Sequence, residues 1–142
     1  MIFLDAYCLV ALAKDEPAAA EVEELLRGGE TAINSVILFE VVDFLVRRAG
    51  APEDAVRAQL SPLLGEVVRV TPVTEEQAWR GASLRARYYA PNTCEVSLAD
   101  CVLLAFAGEG DSVATSDPSV AAIARAEGIE LVALVDRRGR RP

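Results

Sequence analysis

The apolar positions fall into short runs separated by glycine, proline and acidic breakers. Ile2-Phe3-Leu4 is stopped at once by Asp5, which predicts a short buried strand. Tyr7 to Ala13 then reads as an apolar turn or two of helix, ended by Asp15-Glu16-Pro17. Ala18 to Arg27 predicts an amphipathic helix with Val22, Leu25 and Leu26 on one side, closed by Gly28-Gly29. Thr31 to Asn34 predicts a second strand. Ser35 is expected to cap a long helix over Val36 to Ala49, ended by Gly50. Pro52 opens a helix over Glu53 to Leu64, with Pro62 weakening its last turn.

The same alternation continues. Val67 to Val70 is a β-branched strand, and Thr74-Glu75-Glu76-Gln77 is a capping box for a helix running to about Tyr89. Pro91-Asn92-Thr93 is a loop. Ser97 to Ala107 is a helix opening S-x-x-D, and Ser112 to Thr115 is a strand. Asp117-Pro118 starts a helix to Glu127, closed by Gly128, and Leu131 to Val135 is the last strand. Short, wholly apolar strands alternating with helices predict an α/β fold whose parallel sheet is covered on both faces. No repeat, linker or shift in composition divides the 142 residues, so one domain is expected over 1–136. Residues 137–142, with Arg137-Arg138-Gly139-Arg140-Arg141, are expected to form a flexible tail, which suits RNA contact or plain disorder equally.

Composition narrows the chemistry. Histidine is absent, which removes Ser-His-Asp and Cys-His triads and H-E-x-x-H zinc sites. Lys14 is the only lysine and no P-loop surrounds it. Three cysteines with no C-x-x-C argue against a disulfide framework, and Cys8 and Cys101 are expected as buried thiols. The longest apolar run, Ala6 to Ala13, is far short of the roughly 20 residues of a membrane-spanning helix. With no basic leader at the start either, a cytoplasmic protein is expected. Carboxylates are what remain: 22 acids and a net charge of −8.

An open parallel sheet binds ligands beyond the carboxyl ends of its strands, where the strand order reverses. Asp5 ends a buried strand and precedes an apolar helix, so it either caps the helix Tyr7 to Ala13 or its charge needs a partner or a function. Glu40 lies mid-helix between Phe39 and Val41, where capping cannot explain it; it reads as a site residue or as a glutamate on a solvent face, which its apolar neighbours disfavour. Asp43 shares roughly its face and is expected to be solvated. Asp100 closes the S-x-x-D box, and Asp117 precedes Pro118, so each reads equally as a helix cap or as a site residue. Four acids meeting at one edge would repel, and Mg²⁺ or Mn²⁺, held by hard oxygen ligands, would relieve that repulsion.

Four segments carry a family resemblance: Ile2 to Leu12, Ser35 to Val41, Leu98 to Cys101, and Ala114 to Pro118 continuing through Gly128. In this order they resemble the PIN-domain ribonucleases, and more narrowly the VapC-type toxins of bacterial toxin–antitoxin pairs. The resemblance implies five parallel strands in the order 3-2-1-4-5 within a three-layer α/β/α domain. It also implies that Asp5, Glu40, Asp100 and Asp117 form an acidic quartet that is both catalytic and metal-holding. Asp5 and Asp100 would be the main ligands, Glu40 would hold metal or its water, and Asp117 would act through water or a second ion. Thr115 or Ser116 would steady the cluster with a hydroxyl. Many relatives carry Ser or Asn two residues after the first acid, where this chain has Tyr7.

The implied activity is Mg²⁺- or Mn²⁺-dependent hydrolysis of RNA phosphodiesters, leaving 5′-phosphate and 3′-hydroxyl ends. The implied partners are an RNA substrate and a small antitoxin protein. The apolar stretch Val36-Ile37-Leu38-Phe39 with Val41-Val42 offers a homodimer surface or ordinary core. Arg80, Arg85 and Arg87, on a helix ending Tyr88-Tyr89, suit either RNA contact or a solvated face with an aromatic end in the core. Haloacid-dehalogenase-type and Toprim-type sites need D-x-D, which the chain lacks. A receiver domain needs an acidic pair after its first strand and a late lysine. The remaining alternative is a catalytically inactive PIN-like interaction module.

Overall fold

The computed structural model describes residues 1–142. Five strands form one sheet: β1 (Ile2–Leu4), β2 (Thr31–Asn34), β3 (Val68–Thr71), β4 (Ser112–Thr115) and β5 (Glu130–Ala133). Their order is β3-β2-β1-β4-β5 and every pairing is parallel. Seven α-helices surround them: α1 (Ala6–Lys14), α2 (Ala19–Gly28), α3 (Ser35–Asp43), α4 (Glu53–Leu60), α5 (Glu75–Tyr88), α6 (Leu98–Phe106) and α7 (Pro118–Ala126). The fold is the expected α/β architecture. No helix is long and apolar enough to cross a membrane.

Successive strand residues face opposite sides of a sheet. All four residues of β2 are buried, as are Phe3 and Leu4 of β1 and Val113 to Thr115 of β4. The centre of the sheet is therefore covered on both faces, which gives three layers. β3 lies at the edge and exposes Arg69 and Val70. The core joins Leu4, Leu9, Ile33, Ile37, Leu103, Leu104 and Ile123 in one cluster. Cys8 and Cys101 are buried free thiols, as expected, and Cys8 donates to the Ala114 carbonyl at 3.4 Å.

Three local features differ from the sequence expectations. The cap of α3 is Asn34, not Ser35: Asn34 Oδ1 accepts from the N–H groups of Val36 and Ile37, both at 2.9 Å. Asn34 is still extended as the last residue of β2, whereas Ser35 is already helical. The long helix after it is also interrupted, because Phe44–Arg48 is a π-helical turn in which the Ala49 N–H reaches back to the Phe44 carbonyl. Finally, α4 stops at Leu60, because Pro62 has no N–H to continue the helical hydrogen bonds.

Helices α5 and α6 approach closely at Gly81. A Cβ placed there would stand 3.2 Å from the Cys101 carbonyl oxygen. That contact fixes the first turn of α6, which carries Asp100.

Candidate active site

Asp5 is the first residue beyond β1, and its N–H still donates to the Ala114 carbonyl of β4 at 3.0 Å. It occupies the position that caps α1, yet its side chain makes no cap hydrogen bond. It accepts instead from the Thr115 hydroxyl, with Oδ2 2.5 Å away. Thr115 Oγ1 in turn accepts from the Asp117 N–H at 3.0 Å. One buried hydroxyl thus ties the ends of β1 and β4 together, at the point where the strand order reverses.

Asp100 and Asp117 both cap helices, as their sequence settings suggested. Asp100 Oδ2 accepts from the Ser97 N–H at 2.8 Å, while Ser97 Oγ accepts from the Asp100 N–H at 3.0 Å. Asp117 Oδ1 accepts from Ser119 and Val120 at 2.6 and 3.1 Å. In each case one oxygen makes the cap and the other makes no hydrogen bond. Capping and facing a ligand are therefore compatible roles for these two residues. Glu40 projects from mid-α3, and its Oε2 is buried without any partner.

A single open cleft of about 510 Å³ collects these groups, lined by Asp5, Glu40, Asp100, Asp117 and Ser116. Thr115 lies behind the wall, fully buried. Mutual repulsion is visible in the acidities. Burial, with the charges of Asp100 and Glu40, pushes the Asp5 carboxyl up to about 7 against the pull of the Thr115 hydrogen bond. Burial raises Glu40, helped by Asp100 and Asp43. Burial also raises Asp100, with the Ser97 hydrogen bonds opposing it and the charge of Asp117 adding to it. Asp43, by contrast, pairs with Arg47 through two bonds of 2.7 Å on the outer surface and takes no part in the cleft.

No three carboxylates are gathered tightly enough to form a ready-made metal cage. The donor set nonetheless fits a hard divalent cation. It is all oxygen, it carries excess negative charge, and it includes the orphaned Glu40 Oε2. Mg²⁺ in particular keeps most of its waters and uses only one or two carboxylates directly.

The cleft is also lined by Tyr7 and by residues the sequence reading did not assign to the site: Phe44, Asp136, Arg137, Arg138 and Arg140. Arg137 bonds Glu16 at 2.8 Å and lies 5.8 Å from the Tyr7 ring centroid and 5.0 Å from that of Phe44. Tyr7 thus lines the cleft, with its hydroxyl buried and unpartnered. The available signal was positional. β5 ends at the same sheet edge as β4, so the residues following it emerge beside Asp117. The arginines of α5 are engaged within the protein: Arg80 bonds the Ala105 carbonyl, Arg85 the Val96 carbonyl and Arg87 the Glu127 carboxylate. Tyr88 is half-buried and donates to Glu127 at 2.5 Å, while Tyr89 stays exposed beneath Arg85.

A doubly wound parallel sheet with acids at its switch point defines a class, and comparison with known proteins names it. A PIN domain family model matches residues 2–126. The chain belongs to the PIN domain family. Among curated proteins none matches it. Solved structures do. VapC20 of Mycobacterium tuberculosis, a sarcin-ricin loop cleaving toxin, is 23% identical with a TM-score of 0.59, over 91% of this chain and 85% of that one. FitAcB from Neisseria gonorrhoeae is 20% identical with a TM-score of 0.65, over 92% and 96%. VapBC2 from Rickettsia felis, bound to a promoter DNA fragment, is 16% identical with a TM-score of 0.66, over 93% and 98%. At these identities the likeness establishes the fold.

Proposed function

We propose that the protein is a Mg²⁺- or Mn²⁺-dependent endoribonuclease acting as the toxin of a toxin–antitoxin pair in the cytoplasm. The observation that carries this reading is the meeting of Asp5, Glu40, Asp100 and Asp117, from four separate stretches, in one cleft at the switch point. Membership of the PIN family supports nuclease chemistry. Similarity to a toxin that cleaves the sarcin-ricin loop supports RNA as substrate, and similarity to VapBC2 supports an antitoxin partner.

Asp5 and Asp100 are the main ion-holding residues, Glu40 contributes the orphaned oxygen, and Asp117 completes the set from α7. A bound ion supplies charge neutralisation and Lewis-acid polarisation of the phosphate. Thr115 holds Asp5 in orientation, and Ser116 adds a hydroxyl at the cleft wall. The arrangement needs no histidine, in agreement with the composition.

The test is cleavage of total cellular RNA with Mg²⁺ or Mn²⁺, with end mapping. Cleavage leaving 5′-phosphate and 3′-hydroxyl ends is expected, abolished by EDTA and by Asp5→Asn. Activity surviving either treatment overturns the reading, and a folded protein that cleaves nothing favours an inactive interaction module. A homodimer is part of the proposal: Ile37 and Val41 are core, but Phe39 on the same helix is 71% exposed. Light scattering on the eluting protein should give twice the chain mass, and a monomer at high concentration counts against the dimer.

A further inference from the structure

The cleft presents four carboxylates, yet the substrate of the proposed ribonuclease is itself a polyanion, and phosphate contacts normally require cations at the protein surface. The arginines of α5 and two of the three that line the cleft are already committed. Arg80, Arg85 and Arg87 bond protein carbonyls or Glu127. Arg137 is held by Glu16. Arg140 is held by Asp136 through a two-bond fork at 3.0 and 2.8 Å. Arg138 alone among the cleft-lining arginines has a guanidinium with no hydrogen bond and no ion pair. It does not pair with Asp5, Glu40, Asp100 or Asp117 either, so it does not plug the site.

Its backbone, by contrast, is firmly placed. Asp136 Oδ1 accepts from the N–H groups of both Arg138 and Arg140 at 2.8 Å. The Asp136 N–H donates to the Arg140 carbonyl at 2.7 Å, and the Gly139 N–H donates to the Asp136 carbonyl at 2.9 Å. Gly139 closes this hairpin with φ of +74°, a conformation that favours glycine. Just before the hairpin, the N–H of the buried Leu134 bonds the Thr115 carbonyl at 2.9 Å. The same threonine whose hydroxyl orients Asp5 therefore anchors the segment that carries Arg138. Residues 127–142 lie outside the span that matches the PIN domain model.

We propose that Arg138, presented by the Asp136–Arg140 hairpin, binds the RNA phosphate backbone beside the acidic cleft. The inference rests on the ribonuclease reading and adds a substrate-binding wall to it. A divalent ion balances the carboxylates while Arg138 balances substrate phosphate. The planar guanidinium suits this task because it grips two phosphate oxygens at once. Its two neighbours are bound internally, so they hold the hairpin in position and leave Arg138 for the ligand.

The test uses the full chain and a random-sequence pool of single-stranded RNA. In the Asp5→Asn background, binding is followed across a salt series with and without Arg138→Ala. Loss of one phosphate contact lowers the slope of log affinity against log salt by about 0.7. In the active protein, Arg138→Ala should raise KM about tenfold and change kcat by less than about twofold. Arg138→Lys should restore the salt slope but only part of KM, since charge returns without the fork. Arg27→Ala, on the far-off α2 surface, is the neutral control. Unchanged slope and KM overturn the assignment while leaving the nuclease reading intact. Faster cleavage by Arg138→Ala also overturns it and makes the hairpin an obstruction. A wild-type protein that neither binds nor cleaves any RNA overturns the nuclease reading itself, and this inference with it.

Discussion

The Thr115 hydroxyl donates to Asp5 Oδ2 at 2.5 Å across the β1–β4 boundary, and Thr115 Oγ1 accepts from the Asp117 N–H. A single fully buried side chain therefore sets the orientation of one acid and the backbone position of another. Thr115→Val keeps the shape and removes both bonds. It should cost about 1–3 kcal/mol of stability, the penalty for an unpaired buried polar group. Cleavage should fall about tenfold or more as Asp5 loses its orientation. Thr115→Ser should retain most of both. Urea denaturation and RNA-cleavage rates on the three proteins check this, and a fully active valine variant would show that Asp5 is held by packing alone.

The raised pKa of Asp5 has a consequence that can be measured in metal-free protein. The folded state holds the Asp5 proton to about pH 7, whereas the unfolded chain releases it near the ordinary carboxylate value of 3.8. Between these values the folded protein binds more protons than the unfolded chain. Stability from this group is therefore greatest at the acid end and is lost as pH rises from about 4 to about 7, by at most about 4 kcal/mol. In EDTA, Asp5→Asn should be more stable than wild type at pH 8, with the difference shrinking toward pH 5. Added Mg²⁺ should raise the melting temperature of the wild type at pH 8 and leave that of Asp5→Asn unchanged. An equal response of the two proteins to Mg²⁺ would place the ion elsewhere.

Asp100 allows its two roles to be separated. As the N3 residue of the capping box it uses Oδ2 to accept from the Ser97 N–H, a function an amide oxygen also performs. Asp100→Asn should therefore change stability by less than about 1 kcal/mol while cutting metal-dependent cleavage by about a hundredfold or more. Ser97→Ala should do the reverse, losing about 1 kcal/mol through its missing bond to the Asp100 N–H with a smaller effect on rate. Melting curves and initial rates on the two variants, measured side by side, decide it. Equal loss of stability in both would mean that the carboxylate charge itself holds the helix.

Much of this arrangement was legible in the sequence because it follows from local rules. Short apolar strands stopped by polar residues gave the parallel sheet, and a charge closing the first strand or lodged mid-helix marked Asp5 and Glu40. Asp100 and Asp117 stayed ambiguous for a physical reason: one carboxylate has two oxygens, and a cap occupies only one of them. Asn34 took the cap expected of Ser35 because the β2 strand delivers it, still extended, one residue earlier. The π-helical turn at Phe44–Arg48 has no sequence signal that we can identify. The tail arginines could be read as an RNA contact, but their place on the cleft wall was not legible because its anchors are remote. Arg137 reaches Glu16 and Arg141 reaches Glu21, residues brought near only by the finished fold.

Gly81 joins packing to the site. Its missing side chain lets α5 lie against the α6 backbone at Cys101, next to Asp100. An alanine there gains about 1 kcal/mol of helix propensity, yet its Cβ meets a backbone carbonyl at 3.2 Å that a rotamer change cannot relieve. A larger, branched residue brings further atoms into the same space and must push the helices apart. Gly81→Val should therefore destabilise the fold by about 2 kcal/mol or more. Because the displaced turn carries Asp100, the Mg²⁺ concentration for half-maximal cleavage should rise even at temperatures where the variant remains fully folded. Leu84, one turn along α5 and fully buried, provides the comparison. Leu84→Ala should cost about 2–5 kcal/mol by leaving a cavity. It should leave the Mg²⁺ requirement of the folded fraction unchanged, since nothing is driven toward α6. A Mg²⁺ requirement shifted equally by both substitutions would mean that the cleft responds to global stability and not to the α5–α6 spacing.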